Sequence, residues 1–425
     1  MSLPTLPNRF PLFGALFRFL FREHTSLYHM FNGWLHYMKN VPTFKTHIPG
    51  AGSVIVTKNR EWIEELNEKT CFHLVTTSLA ETGSVIFANQ ESEWAPQRER
   101  LTIPWHLQHV HEYSHIQSTI FAKYLERWNS DKEWNRVYEN IHLMMLDAMF
   151  SSTYPIHFSE EQVKDLYKSS CELDTLLDKR SKNLFTFNRN RIIEWYQKTR
   201  DMLIQDAFDA EIMKEQIQAF HVIDLMIGVK NMTYVLTQIC FFLARFPQWQ
   251  YILRAELMDR PIHTYTDYLE CIQTRAFVFE CLRLKPPTPL LASTSNTEMV
   301  LDGHRFPPGT IFIKLLENSI RENDFNSTFP IKTFAPTRFF TNQGTIKDEA
   351  EPWMSMVYGS GPRKCPGRFL ANMSTALFIQ HLLRLVQVQL PSPSVDPEES
   401  FIGVVNIIVN HPQLLFIRLT PSADV

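Results

Sequence analysis

The amino-acid sequence predicts a mainly α-helical protein with a few small β-sheets. Apolar residues recur at spacings of three and four along most of the chain, which is the period of an amphipathic helix. Glycine, which weakens helices, accounts for only 13 of the 425 residues. Strand-like runs are short and are bounded by Gly, Pro or Asn. These runs are residues 54–57, 298–301, 310–315 and 414–419.

Three helices are predicted from the pattern and its stop signals. Residues 212–246 form the longest periodic stretch, which is apolar nearly all round, has a polar break in its middle and ends at Pro247. A second helix is predicted over about 265–285, before two consecutive prolines. A third is predicted to start at Pro366 and Gly367 and to run to about residue 387.

The composition excludes several classes of protein. With 44% hydrophobic and 20% charged residues, the chain can bury a large core and is not disordered. Its 42 Lys and Arg against 45 Asp and Glu give a formal charge of -3, which argues against an overall basic nucleic-acid binder. The six cysteines have no CxxC pair and no regular spacing, which fits neither a disulfide scaffold nor a zinc ribbon. A reducing compartment is therefore expected.

One domain is expected over residues 1–425, with about residues 1–45 as an amino-terminal extension. That extension contains an apolar run from Phe10, which Arg18 interrupts well before the ~20 residues that a membrane span requires. No cleavage pattern of a secretory signal follows it. These features favour a soluble, cytoplasmic protein without a transmembrane segment. A peripheral membrane contact of the apolar run is the alternative.

The residues with the clearest chemical role lie in the loop 358–369, YGSGPRKCPGRF. Cys365 directly precedes a predicted helix, where helix amides and the cations Arg363 and Arg368 are expected to lower the pKa of its thiol. A bound metal ion would deprotonate the thiol outright. The glycines of this cysteine loop are expected to let the backbone pass close to a flat ligand.

The cysteine loop resembles the signature FxxGxRxCxG of the cytochrome P-450 family, the haem-thiolate monooxygenases. Four positions of the signature match, and Tyr358 stands in place of the phenylalanine. The resemblance implies a cytochrome P-450-like fold and a haem b cofactor whose iron takes Cys365 as its proximal ligand. The loop residues that it assigns to haem binding are Tyr358, Gly359, Arg363 and Cys365.

Two further segments resemble motifs of this family and follow in its order. Glu280 and Arg283 match ExxR on the second predicted helix, and Arg338 belongs to the segment FAPTRF, which resembles FxPxRF. Glu280 and Arg283 lie one helical turn apart, so they can pair. With Arg338 they are expected to form a buried ionic framework that fixes the position of the cysteine loop.

Upstream, Trp94 and Arg98 resemble the family's WxxxR. An i,i+4 pair on one helix face directs an indole N–H and a guanidinium to the same side. The resemblance implies that this pair binds a haem propionate. It extends from about residue 50 to the end of the chain and is weakest between residues 110 and 210.

Three further residues depart from the family's pattern. Ser293 stands where an arginine commonly reaches the other propionate. In the long helix, an ungapped match places Lys230 and Asn231 where oxygen-activating members carry an acid and an alcohol that relay protons. We expect both residues to be catalytic, and a substrate carboxylate is a natural partner for a buried Lys230. Alternatively, Lys230 points away from the haem, and water or Asn231 delivers the protons.

The resemblance implies a monooxygenase that inserts oxygen into an apolar or carboxylate-bearing organic substrate. A peroxide-driven peroxygenase or a non-redox rearrangement enzyme of the same fold is the alternative. An acidic ferredoxin or flavodoxin is the expected electron donor. The cations expected to dock it are Lys364, Arg368 and Arg100. Alternatively, these three residues are ordinary solvated surface charges. The candidate pocket walls are Phe401, Ile402 and residues 290–294.

Two other functional classes are considered. His111 and His115 form an HExxH pattern, which on a helix can bind zinc, but no convincing third ligand follows. A solvated helix explains the pattern as well. A non-catalytic haem protein would explain the missing acid–alcohol pair and Ser293. The intact cysteine loop and ionic framework argue against it.

Overall fold

Helices make up most of the part of the chain that the structure describes. The computed structural model describes residues 3–5, 27–39, 41–48, 52–69, 84–86, 91–102, 107–128, 135–154, 156–182, 189–205, 207, 210–219, 222–295, 297–323, 325, 327–390, 398–402, 407–411 and 413–418. Its α-helices are α1 (Leu27–Tyr37), α2 (Arg60–Lys69), α3 (Glu91–Thr102), α4 (Val110–Arg127), α5 (Val137–Thr153), α6 (Glu160–Lys182), α7 (Arg189–Gln205), α8 (Ala210–Ala219), α9 (Val222–Arg245), α10 (Gln248–Asp259), α11 (Tyr265–Glu270), α12 (Ile272–Leu284), α13 (Leu316–Arg321), α14 (Ala350–Met354) and α15 (Arg368–Leu385). Short 3-10 helices span Leu107–His109, Pro336–Phe339 and Ser355–Tyr358.

The strands form four small sheets. The strands are β1 (Thr43–Ile48), β2 (Gly52–Thr57), β3 (Asn135–Arg136), β4 (Leu291–Thr294), β5 (Met299–Leu301), β6 (His304–Phe306), β7 (Ile311–Lys314), β8 (Val386–Gln389), β9 (Glu398–Ile402), β10 (Ile407–His411) and β11 (Gln413–Arg418). The largest sheet has the order β1-β2-β7-β4, and its β2–β7 pair is parallel. The smaller sheets are β3-β11-β8, β9-β10 and β5-β6. The predicted fold class, mainly helical with small sheets, is confirmed.

The helix α9 runs through the main hydrophobic core. It packs against α5 and also contacts α12 and α15, while α15 packs against α4. Buried residues of this core come from segments as distant as Phe31 and Val388. A smaller core lies where α2 covers one face of the largest sheet, through Trp62, Leu66 and Phe312.

The predicted helix 212–246 is in fact two helices, α8 and α9. The two segments lie in different environments: α8 exposes charged residues such as Glu211 and Lys214, whereas α9 is buried on nearly all sides. Sequence periodicity alone joined them because apolar residues continue across the junction, which lies outside the described residues. The polar break expected near residue 230 does not interrupt α9.

The predicted helix 265–285 is also divided, at Cys271, into α11 and α12. The backbone of Cys271 has φ −78° and ψ +79°, which is not helical. A distant carboxylate starts the second helix: Glu256 of α10 accepts hydrogen bonds from the N–H groups of Gln273 and Thr274, both at 2.8 Å. The first residues of a helix lack internal partners for their N–H groups, and Glu256 supplies them.

The third predicted helix and the predicted strands agree with the structure to within a few residues. α15 begins at Arg368 with Gly367 as its N-cap, and it gives way to β8 at Val386, slightly before the predicted end. The apolar run near the amino terminus lies outside the described residues. Among the described helices, α9 alone has the length and hydropathy of a membrane span, and 89% of its most apolar window is buried inside the protein. A buried core helix meets the same criteria.

Candidate active site

The cysteine loop lies between the 3-10 helix Ser355–Tyr358 and α15, and backbone hydrogen bonds fold it tightly. The N–H of Cys365 donates to the carbonyl oxygen of Tyr358 at 2.8 Å, and the N–H of Lys364 donates to that of Gly361 at 3.1 Å. Gly359 has a φ of +77°, in the left-handed region that glycine adopts without strain. These contacts hold Cys365 directly before the first turn of α15.

The surroundings of Cys365 act on its thiol in opposite directions. Burial raises the pKa of the thiol, whereas the N–H of Gly367 and the cations of Arg98 and Arg368 lower it. Burial is the larger effect, so this pKa lies above its ordinary value. The expectation of a lowered pKa is therefore wrong, because it left out the desolvation of the thiolate. A metal ion bound to the sulfur would deprotonate it.

Two glycines of the loop have structural roles in addition to the expected approach to a flat ligand. Gly361 has a φ of +69°, and a Cβ atom there would lie 2.6 Å from the carbonyl oxygen of Asn67 in α2. Gly367 has a φ of −84° and caps α15. Gly361 therefore makes room for the backbone of α2, and Gly367 starts a helix.

The helix α3 brings both residues of the WxxxR pair to the cysteine loop. The guanidinium of Arg98 donates a hydrogen bond to the carbonyl oxygen of Lys364. The Cζ atom of Arg363 lies 4.6 Å from the centroid of the buried Trp94 ring, a cation–π contact. The structure thus brings together Trp94, Arg98, Arg363 and the residue next to Cys365.

Tyr358 uses its hydroxyl to fasten the loop to α15. Its Oη donates to Oδ1 of Asn372 at 2.5 Å, and Nδ2 of Asn372 donates to Oη of Tyr265 at 3.3 Å. Burial raises the pKa of Tyr358, so the hydroxyl stays protonated as a donor. A phenylalanine at this position could not make the link. Sequence analysis missed Asn372 and Tyr265 because neither belongs to a motif.

Glu280, Arg283 and Arg338 form the predicted ionic framework. Nε and Nη2 of Arg283 donate to the Glu280 carboxylate at 2.7 and 2.9 Å, and Nε of Arg338 lies 3.0 and 3.1 Å from its two oxygens. The N–H of Ala335 donates to the same carboxylate at 2.8 Å. All three charged side chains are fully buried. The framework thus joins α12 to the segment that carries Arg338.

Lys230 has a different partner from the one expected. Its ammonium forms an ion pair with Asp174 of α6 and donates to the carbonyl oxygen of Ser170 at 3.2 Å. Burial lowers the pKa of Lys230, while Asp174 raises it. A substrate carboxylate was expected to neutralise this cation. In the structure, the carboxylate of Asp174 in the chain itself is its partner.

Asn231 lies on a different side of α9. Neighbouring residues of a helix point about 100° apart, so Asn231 does not share the environment of Lys230. Between Val222 and Leu243, all of which the structure describes, Gly228 and Asn231 alone are only partly buried. Oδ1 of Asn231 is buried, and no described residue hydrogen-bonds it. Of the two residues predicted to be catalytic, Asn231 is the one on the open face of α9.

A third polar residue of α9, Asp224, was not found from the sequence. Its buried carboxylate accepts hydrogen bonds from the hydroxyl of Ser84 and from the N–H groups of Val85 and Ile86, the latter two at 2.8 and 3.4 Å. Burial raises the pKa of Asp224 to about 6. A lone aspartate in an apolar stretch gave no signal in the sequence, because its partners lie about 140 residues earlier.

Ser293 stays a departure from the family's pattern in the structure. It lies in β4 and is 2% exposed, and its Oγ has no hydrogen-bond partner among the described residues. The neighbouring candidate wall, residues 290–294, is buried or half-buried. Phe401 and Ile402 belong to β9, but their side chains lie outside what the structure describes.

The alternative zinc pattern lies on the surface. His111 and His115 are exposed residues of α4, and His111 contacts the carbonyl oxygen of His263 at 3.3 Å. Across the described residues, no group of three or more His, Cys, Asp or Glu is arranged to hold a metal ion. The HExxH pattern therefore belongs to a solvated face of α4.

A pocket of about 680 Å³ lies away from the cysteine loop. None of its lining residues belongs to the loop, to α9 or to the candidate pocket walls, so it is not the pocket that those walls were expected to line. Its charged groups come from Arg260, Glu270, Arg275, Lys347, Asp348 and Glu351.

The order of Glu280, Arg283, Arg338 and Cys365 along the chain agrees with a comparison of the sequence. Residues 189–417, more than half of the chain, match the family model of cytochrome P450. The chain belongs to the cytochrome P450 family.

Several cytochrome P450 proteins are similar over part of their length. A probable cytochrome P450 12c1 of Drosophila melanogaster, named as mitochondrial, is 28% identical over 176 residues, which are 39% of this chain and 33% of the relative. Cytochrome P450 11B1 of Sus scrofa, also named as mitochondrial, is 31% identical over 170 residues, 38% of this chain and 32% of the relative. Aromatase 1 of Sus scrofa is 24% identical over 258 residues, 59% of this chain and 47% of the relative. The matches thus span about a third to a half of these relatives.

The residues around Cys365 fit the haem iron that membership of the cytochrome P450 family implies. A thiolate is a soft, anionic ligand that iron accepts. The N–H of Gly367 and the cations of Lys364, Arg98 and Arg368 offset the negative charge that the sulfur would carry as a ligand. The donor set is therefore consistent with one thiolate ligand held in a positively charged surrounding.

Proposed function

We propose that the chain is a haem-thiolate monooxygenase in which Cys365 is the proximal iron ligand. The observation that carries the proposal is the meeting of α3 with the cysteine loop, where Arg98 donates to the carbonyl oxygen of Lys364. When bound, a thiolate-ligated haem supplies activation of dioxygen for insertion into a substrate. The chain's own part is to hold the cofactor, exclude water and place the substrate.

Three residues are proposed to bind the haem edge together with the sulfur. Trp94 and Arg98 share one face of α3, and Arg363 stacks over the Trp94 ring. Guanidinium and indole N–H groups suit the carboxylates of haem propionates. Tyr358 and Gly359 are proposed to shape the loop, through the Asn372 link and the positive φ.

Asn231 is proposed to act on the substrate side of α9. Its Oδ1 is buried and no described residue hydrogen-bonds it, so it is available to accept from a bound water or a substrate hydroxyl. Lys230 is removed from the proposed catalytic residues, because its ammonium is paired with Asp174. An apolar substrate is favoured over a carboxylate-bearing one, since the expected cation for the carboxylate is already neutralised.

The absorption spectrum of the reduced, carbon-monoxide-bound protein tests the assignment of Cys365. The wild-type chain should show the strongly red-shifted band of thiolate ligation. Cys365→His should lose this band and oxidative turnover even where haem still binds. Cys171→Ser, at another partly buried free cysteine, is the matched control and should keep both. A band that survives in Cys365→His would assign the iron to another residue.

One observation supports a second candidate, a peroxygenase or non-redox rearrangement enzyme of the same fold. The position directly before Asn231 in α9 holds Lys230 and not an acid, so the usual adjacent acid–alcohol pair for proton delivery is missing. Turnover with an electron donor and dioxygen is compared with turnover by hydrogen peroxide alone, or with no oxidant. If product forms only in the latter two conditions, this second candidate replaces the monooxygenase proposal.

An acidic ferredoxin or flavodoxin is proposed as the electron donor. Arg100 is exposed, and Lys364 and Arg368 are half-buried beside the cysteine loop. Exposed cations steer an acidic partner, and salt weakens such steering. The measurement is the rate at which the acidic donor reduces the haem of this protein. A rate that does not fall with rising ionic strength would contradict this docking. The proposed cytoplasmic location rests on cysteine usage and on the interrupted apolar run near the amino terminus. Imaging of the tagged full chain tests it against the mitochondrial location in the names of two relatives.

A further inference from the structure

A buried lysine lies two hydrogen bonds away from the cysteine loop. Lys314 is the last residue of β7 and is 3% exposed. Its Nζ donates to Oδ1 of Asn67 at 2.6 Å, and Nδ2 of Asn67 donates to Oγ of Ser360 at 2.8 Å. Ser360 belongs to the cysteine loop, so this chain of contacts runs from the largest sheet through α2 to the loop.

The backbone of Asn67 is in direct contact with the loop as well. Its carbonyl oxygen lies where a side chain at Gly361 would have to be, at 2.6 Å from an added Cβ atom. Asn67 therefore contacts the loop at two successive residues, through its side-chain amide and through its carbonyl group. A change in the orientation of the Asn67 side-chain amide therefore directly changes its hydrogen bond with Ser360.

The ammonium of Lys314 has no charged partner in the described part of the chain. Its neighbours across the sheet, Thr57 and Leu291, carry no charge. On α2, the carboxylates pair with surface cations of the same helix or are exposed; the pairs are Arg60 with Glu64 and Lys69 with Glu65, and Glu68 is exposed. Burial, with nothing to oppose it, lowers the pKa of Lys314 to about 7.

The protonation state of this amine decides which way the Asn67 amide can face. An ammonium group only donates hydrogen bonds, so Asn67 must present its oxygen to Lys314 and its NH₂ group to Ser360. A neutral amine also accepts, which permits the flipped amide, and the Ser360 hydroxyl must then turn to donate to the Asn67 oxygen. One orientation is enforced when Lys314 is charged, and two are available when it is neutral.

We propose that Lys314 is a positioning residue for the cysteine loop, acting through Asn67 on Ser360, and that its protonation fixes the loop in one arrangement. The inference concerns the chain's own contacts. Its consequence for the haem, a pH-dependent setting of the site, rests on the proposed function.

Hydrogen exchange of residues 358–365 in the full chain, as isolated, tests the positioning. After correction for intrinsic exchange rates, protection should fall about fivefold as pH rises from 6 to 8, because a neutral amine holds the Asn67 amide less strongly than an ammonium does, by about the free energy of one hydrogen bond. The ferric haem spectrum and reduction potential, measured on the same samples, should change with the same midpoint. Wild-type protection that is flat over this range would overturn the proposal.

Four variants separate charge from packing. Lys314→Arg stays charged and should hold the protected state at both pH values, whereas Lys314→Met should show low protection at both. Asn67→Asp gives the ammonium a carboxylate partner, so the midpoint should move to higher pH. Lys69→Met, at an exposed position of the same helix, is the control and should keep the wild-type profile. A transition that persists unchanged in Lys314→Met would overturn the proposal.

The two measurements distinguish this inference from the proposed function. Loop protection that depends on Lys314 in a chain without the thiolate spectrum would retain the positioning role and remove the monooxygenase. A thiolate spectrum with protection independent of Lys314 would do the reverse.

Discussion

Lys230 and Asn231 are adjacent in sequence but have separate environments in α9. Lys230 points toward α6, where it meets Asp174, and Asn231 lies on the partly open face beside Gly228. Which of the two residues faces a substrate depends on a rotation of about 100° around the helix axis. A motif match fixes position along the chain, but it does not show which partner each side chain meets.

The Lys230 ion pair predicts an asymmetry between its two partners. The Lys230 side chain is 2% exposed and that of Asp174 is 21% exposed, so only the carboxylate has access to water when it is left alone. Asp174→Asn should cost roughly 3 kcal/mol because it strands a buried charge. Lys230→Met should cost much less, and the double variant should recover most of the loss. Thermal unfolding midpoints measure the series, and equal losses for the two single variants would contradict it.

Asp224 predicts a specific pH dependence of stability. Its folded-state pKa is raised to about 6 from 3.8, so its contribution favours the folded state at low pH and is lost as pH rises through 6. Asp224→Asn removes this titration. Relative to wild type, the variant should therefore gain about 2–2.5 kcal/mol in free energy of unfolding between pH 4 and pH 7.

Urea unfolding at a series of pH values measures that difference. Asp201→Asn is the control, because Asp201 is an exposed aspartate, and its difference from wild type should not change with pH. A constant difference for Asp224→Asn would mean that Asp224 is not titrating in the folded protein. Arg98, Tyr154 and Tyr196 are the other titratable groups that interact with Asp224, and they are unchanged in both variants.

At the scale of single elements, α12 depends on a cap supplied by another helix. Cys271, at its start, makes no side-chain capping bond, while Glu256 of α10 accepts from Gln273 and from both the N–H and the hydroxyl of Thr274. α12 carries Glu280 and Arg283. The ionic framework is therefore presented by a helix whose first turn is held from outside.

Removing this cap should destabilise the first turn of α12. Glu256→Ala should cost ~1–2 kcal/mol, the range for a lost capping side chain, and should speed amide exchange at residues 272–275. Glu211→Ala, at an exposed acid in the first turn of α8, is the comparison and should change little. Unchanged exchange at residues 272–275 in Glu256→Ala would show that the cap is dispensable.

For the whole molecule, the ionic framework joins α12 to the distant segment that carries Arg338. Glu280→Ala leaves two fully buried guanidinium groups without their carboxylate and should cost roughly 3–5 kcal/mol. The expected result is poorly folded protein with low haem content. The exposed pair of Glu298 and Arg305 offers a control, and Glu298→Ala should cost at most ~1 kcal/mol. Full haem content and wild-type stability in Glu280→Ala would show that the framework is not structural.

The sequence was sufficient for the parts of the site that short motifs encode. The framework followed from motifs that resemble those of the family. The contacts of Trp94 and Arg98 with the cysteine loop did not, because the resemblance assigned this pair to a haem propionate. The Glu256 cap, the Asp224 bonds and the Lys314 contact each join one polar residue to a segment far away in the chain. No periodicity or spacing records such pairs, because they depend on how the elements pack. The prediction that the pKa of the Cys365 thiol is lowered was wrong for the same reason, since burial is a property of the packed molecule.

The parallel pairing of β2 with β7 has a consequence for how the chain is made. The two strands are separated by more than 250 residues, and no strand between them completes the sheet on that side of β2. At ribosomal rates of about 5–20 residues per second, β2 emerges tens of seconds before its partner. During that interval β1 and β2 present an unpaired edge, which is the kind of surface that chaperones cover and aggregates use. Slower elongation between residues 57 and 311 should therefore lower the yield of soluble protein more than slower elongation after residue 314.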